Sequence, residues 1–124
     1  MKPRIFSLIA LCLINTSCQR GQELAPDYIL YSDEGPAMIN LSYGENIVPP
    51  TVLAYSVQDK YILAKSRRWD TGPIIIDYFV VKILPPPVRW QKDIRWRIQT
   101  KHEFDSLTKQ LGIDHIEWKE VGDS

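Results

Sequence analysis

His102 and His115 are the only histidines in a chain of 124 residues, and Asp105, Asp114 and Glu117 stand near them in sequence. Imidazoles beside carboxylates are the donor set of a zinc site or an acid–base pair. The two histidines flank one helical pattern and are thirteen positions apart. A helix of that length separates them by about 15 to 20 Å. Solvated helix-end histidines are expected, with no metal and no cofactor. For nucleophilic catalysis, no serine lies in a Gly-x-Ser-x-Gly turn. Ser106-Leu107-Thr108-Lys109 has lysine three places after serine, but Leu107 and the start signal before it read as an ordinary amphipathic helix. Among carboxylates, Asp33-Glu34, Asp70 and Asp77 could meet in space as an acid–base pair. Asp77 is the single charge in the apolar run Ile74 to Leu84. A carboxylate there is costly unless paired or exposed, so an ion pair with Lys65 or Arg67 on a neighbouring strand is expected. No catalytic constellation is readable, and a hydrolase is the least favoured class.

A different chemistry is written in Arg89-Trp90, Lys92 and Arg95-Trp96-Arg97, where cations interleave with indoles, and in Trp69 of an earlier polar loop. Trp69, Arg89, Trp90, Arg95, Trp96 and Arg97 are the candidate interface. They either pack as cation–π pairs against the protein's own surface or meet a protein partner, since Trp and Arg carry interface energy. Pro85-Pro86-Pro87, just before them, is expected to run as a stiff extended spacer.

The location of this surface is set by the first residues. Lys2 and Arg4 precede the apolar run Ile5 to Ile14, followed by Asn15, Thr16, Ser17 and Cys18. This is the layout of a secretory signal peptide. Ten apolar residues make about 15 Å of helix, half the roughly 30 Å of a bilayer core. The segment is therefore expected to be cut rather than kept as an anchor. Cys18 stands where bacterial lipoproteins carry their lipid-modified cysteine, with small Thr16 and Ser17 before it; Asn15 departs from the usual apolar residue. Lipidation at Cys18 is favoured over plain secretion. Cys12 leaves with the leader, so neither a disulfide nor a thiol metal site remains. Loss of Lys2 and Arg4 leaves 13 positive charges against 15 negative, a balance with no electrostatic footprint for nucleic acid. The expected organisation is a signal peptide over 1–17, a lipidated cysteine and short tether over 18–26, and one globular domain over 27–124.

The elements that must position the candidate residues are mainly strands. Period-two alternation runs through Tyr28 to Ser32 and Ala37 to Tyr43, then through Thr51 to Val57 and Lys60 to Ser66, with turns at Asp33-Glu34-Gly35-Pro36 and Gln58-Asp59. Ile74 to Leu84 is apolar on both faces, the pattern of a central strand covered on both sides. Val88 to Gln99 reads as a short strand or an ordered loop, and Ile116 to Val121 as a last edge strand. Thr100 with Glu103 makes a capping box, Phe104, Leu107 and Leu111 form one stripe, and Gly112 closes the helix. The echo of Tyr28-Ile29-Leu30 in Tyr61-Ile62-Leu63 reads as two strands of one sheet. The expected fold is α+β and mainly β, an antiparallel sheet of five or six strands with one C-terminal amphipathic helix, Lys101 to Leu111, packed on it.

Several of these segments in this order resemble a family of small bacterial lipoproteins catalogued as a domain of unknown function. The features are the leader ending at Cys18, Tyr28-Ile29-Leu30, Ile47 to Val52, Asp59 to Lys65, Asp77-Tyr78-Phe79-Val80-Val81, and Glu103-Phe104 through Leu111-Gly112-Ile113. The stretch from Pro85 to Ile98 is longer and richer in Trp and Arg than the resemblance implies. No activity comes with it. The expected role is a non-enzymatic binding module of the cell envelope that contacts an envelope protein or cell-wall ligand. An inhibitor or immunity lipoprotein that blocks a toxin or a wall-degrading enzyme is the alternative.

Overall fold

A computed structural model describes residues 21–33, 35–68 and 72–121. The leader, Cys18, Trp69 and Asp70 lie outside the described residues. Strands β1 (Gly21–Ala25), β2 (Tyr28–Tyr31), β3 (Met38–Leu41) and β4 (Asn46–Val48) form an antiparallel sheet in that order. Strands β5 (Val52–Val57), β6 (Tyr61–Arg68), β7 (Ile75–Lys82), β8 (Arg95–Ile98) and β9 (Lys119–Glu120) form a second, in the order β8-β7-β6-β5-β9. Helix α1 covers Lys101–Gln110. The class is the expected one: mainly β, antiparallel, with one C-terminal helix. Its strands are shared between two sheets rather than gathered in one. Pro49-Pro50, between β4 and β5, is where the chain leaves the first sheet for the second, and the Ser66 hydroxyl donates to the Pro49 carbonyl there at 2.8 Å.

The alternation of the strands decides what meets across the layers. Tyr28, Leu30, Ile39 and Leu41 turn one face of the first sheet inward. They share a core with Ile62, Ala64, Phe79 and Val81 of the second. Leu63 and Val80 point the other way and lie under Phe104 of α1. Thus β7 is covered on both faces, as its two-sided apolar run implies. Tyr28 is fully buried yet satisfied, its hydroxyl donating to the Lys82 carbonyl at 2.7 Å and accepting from the Leu84 amide at 2.9 Å. The helix begins as its sequence dictates, with the Thr100 hydroxyl oxygen accepting from the Glu103 amide at 3.1 Å.

Four local expectations are corrected. Gly21–Ala25 is not a tether but an edge strand: Pro26 and Asp27 form a two-residue turn that folds it onto β2, and Leu24 and Ala25 pack against the core. The two echoing segments, β2 and β6, belong to different sheets. The proline triplet bends at residues 86 and 87 instead of running outward, and Val88 is buried directly after it. Asp77 pairs with neither Lys65 nor Arg67. In the register of β6 and β7, Ser66 faces Asp77 and Lys65 faces Tyr78, so Lys65 and Arg67 project from the opposite face. Arg68, two places from Ser66, reaches Asp77 diagonally.

Candidate interface

Two elements build the candidate surface: the β3–β4 turn, which carries Tyr43, and the segment from Val88 to Arg95. Asp27 joins them. Its φ of 76° is a left-handed conformation that Asp tolerates through its short polar side chain. The carboxylate accepts from the Ser42 hydroxyl at 3.1 Å through one oxygen and from the Val88 amide at 2.8 Å through the other. Two residues after Val88, the Trp90 amide donates to the Tyr43 hydroxyl at 3.0 Å. The loop bearing Arg89 and Trp90 is therefore held against the turn by backbone donors, which leaves its side chains free to face outward.

They face outward in stacked pairs. The Arg89 guanidinium lies 5.1 Å from the Tyr43 ring centre, and the Arg95 guanidinium lies 5.0 Å from that of Trp90. Tyr43 is 49% exposed and Trp90 39%. Arg95 also stacks over Phe79 at 5.6 Å and donates from Nη1 to the Ile47 carbonyl at 3.0 Å, which ties β8 to β4 across the two sheets. Burial, and then the nearby Arg97 charge, lowers the Arg95 pKa; a guanidinium remains a cation regardless. Among the described residues, neither Arg89 nor Arg95 has a carboxylate at ion-pair distance.

The remaining members of the expected interface go elsewhere. On β8, Arg95 and Arg97 share one face and Trp96 takes the other. Trp96 is half-buried on the helix side, 6.5 Å from the Tyr61 ring, with the Lys82 ammonium 6.0 Å from its centre. Arg97 is spent on Asp77. That carboxylate, with its side chain 3% exposed, accepts from Arg68 at 2.7 and 3.0 Å and from Arg97 at 2.9 Å. Burial alone pushes its pKa up, but the hydrogen bonds from Arg68 and Arg97, with their charges, outweigh it and hold the pKa below the ordinary value. Each oxygen of this carboxylate is engaged by an arginine. Trp69 lies outside the described residues. The cation–aromatic stretch thus divides in two: part packs on the protein itself, and Arg89, Trp90 and Arg95 join Tyr43 in an exposed patch. Tyr43 escaped the sequence reading because its signal is only a lone aromatic in a turn, 47 positions from Trp90.

Other sites are less organised. A cleft of about 390 Å³ opens between Ser56-Val57-Gln58 and His115, Glu117 and Lys119. Its one titratable pair, His115 with Glu117, is 3.8 Å apart with side chains 80% and 86% exposed. Among the described residues, no three His, Cys, Asp or Glu side chains gather around a possible metal position. Nor is any described helix long and apolar enough to cross a membrane. No family model, curated protein or solved structure matches the chain.

Proposed function

We propose that this chain is a lipid-anchored, non-enzymatic binding module of a bacterial cell envelope, and that Tyr43, Arg89, Trp90 and Arg95 form its contact surface. The leader with Cys18 supports the location, as does the resemblance to small bacterial lipoproteins. The observation that carries the binding role is the pairing of two exposed aromatic rings with two cations that have no acidic partner among the described residues, on a turn and a neighbouring segment joined by fixed hydrogen bonds. Tyr, Trp and Arg are the side chains that contribute most to protein contacts. A loop already ordered loses little entropy on binding.

Two measurements test the two halves. Palmitate labelling and membrane fractionation of Cys18→Ala decide the anchor: loss of label and release from the membrane fraction are expected, and a variant still in that fraction overturns lipidation. For the surface, a photo-crosslinking side chain at position 90 is compared in cells with one at the exposed position 117. A discrete adduct from position 90 alone is expected. Equal adducts from both positions, or none from position 90, refute the contact surface.

A further inference from the structure

Resting on that contact surface, we infer that its occupant is an acidic segment of a protein partner, whose carboxylates meet Arg89 and Arg95 while its apolar atoms cover Trp90 and Tyr43. A guanidinium stacked on a ring uses its face for the cation–π contact, and its N–H donors point outward in the plane of the group. Arg95 commits one terminal nitrogen to the Ile47 carbonyl. Arg89 makes only a long 3.4 Å contact to its own Val88 carbonyl. Both therefore keep further N–H donors with which a carboxylate can pair.

Charge and placement favour a protein over a lipid surface. Glu45 is exposed in the same turn as Tyr43, and Asp93 is exposed in the same loop as Arg89. Binding to an anionic bilayer draws on clustered Lys and Arg without such interruptions. The sheet also sets direction. Gly21 pairs with Tyr31 at one end of the first sheet, while Tyr28 pairs with Leu41 at the other, and Tyr43 lies two residues beyond Leu41. The patch is thus roughly 15 Å along the strands from Gly21. A lipid on Cys18, three residues before Gly21, reaches at most about 10 Å beyond it. A domain standing on its Gly21 end therefore carries the patch away from its own membrane. The two guanidiniums also lie over separate rings, Tyr43 and Trp90, so the inference assigns a carboxylate to each.

The test titrates the purified full chain and follows the backbone amide signals of residues 88 to 95. The probes are a peptide of alternating Asp and Tyr, its Asn–Tyr counterpart, inorganic phosphate, and vesicles of phosphatidylglycerol. Saturable shifts with the Asp–Tyr peptide are expected, weakening as salt rises and about a hundredfold weaker for the Asn–Tyr peptide, which loses the charge on both carboxylates, at about tenfold each. Arg89→Ala, which removes one of the two pairs, should weaken Asp–Tyr binding about tenfold, with Arg89→Lys in between because it keeps charge but loses the fork. Arg89 is exposed, so these variants keep the fold. Equal affinity for both peptides, stronger binding of phosphate or vesicles, or no change on Arg89→Ala overturns the acidic-partner inference. Each of these leaves the crosslink from position 90 standing, whereas loss of that crosslink refutes the contact surface itself.

Discussion

Replacement of Asp27 by alanine should loosen the whole candidate interface from one position, by a sum of separable effects. At a φ of 76°, alanine bears the left-handed penalty of roughly 1 to 2 kcal/mol. The Val88 amide, on a residue 1% exposed, loses its acceptor, which costs about 1 to 3 kcal/mol. The Ser42 hydroxyl is exposed and rebonds to water at little cost. Asp27→Ala should therefore destabilise by about 3 kcal/mol. Two companion variants divide the total. Asp27→Gly relieves the backbone but still orphans Val88, and should cost about 2 kcal/mol. Asp27→Asn keeps both the left-handed tolerance and a side-chain oxygen, and should cost under about 1 kcal/mol. Urea unfolding at constant m-value reads the ranking. Hydrogen exchange reads its location: the Val88 and Trp90 amides should lose protection in the Gly and Ala variants before the central strand β7 does. Glycine less stable than alanine would show that the backbone conformation is not the cause. Asparagine as damaging as alanine would show that the oxygen is not.

Acid should weaken the fold through Asp77. Its folded-state pKa is lowered, so the stability it contributes is present above its ordinary value of 3.8 and is lost as pH falls through the folded-state value. Asp77→Asn should flatten that loss while costing about 1 to 3 kcal/mol at neutral pH, because the hydrogen bonds from Arg68 and Arg97 lose their anionic acceptor; a variant with the acid slope of the parent contradicts this. Alkali should act through Tyr28, whose pKa is raised above 10.0, chiefly by burial. Its contribution is complete below 10.0 and declines as pH rises through the folded-state value, and Tyr28→Phe should remove this alkaline decline in a denaturation series. Phe104→Ala should cost about 3 to 5 kcal/mol by emptying a core site under α1. Thr100→Ala should cost about 1 kcal/mol through the lost cap, and the reverse ranking in urea would make the helix peripheral.

Local chemistry is legible in this sequence wherever neighbours along the chain are also neighbours in space. Alternation at Tyr28-Leu30 and Ile39-Leu41 marks which side chains turn inward, because a strand sends successive residues to opposite faces. Thr100 and Glu103 mark the start of α1, because the cap bonds are made within one turn. The interleaved Arg and Trp after the proline triplet announce one cation–π pair in the same way, Arg95 over Trp90. What depends on register or on contact between sheets is not written locally. Asp77 looks equally able to reach Lys65 or Arg67 until the pairing of Ser66 with Asp77 assigns faces and brings Arg68 to it instead. Pairing also separates Trp96 from Arg95. Tyr43 joins Trp90 only because the β3–β4 turn of one sheet meets the loop before β8 of the other. Side-chain pattern tells a strand which face to bury, but the partner on that face is chosen by the combined packing of both sheets. Only the tertiary structure carries that choice.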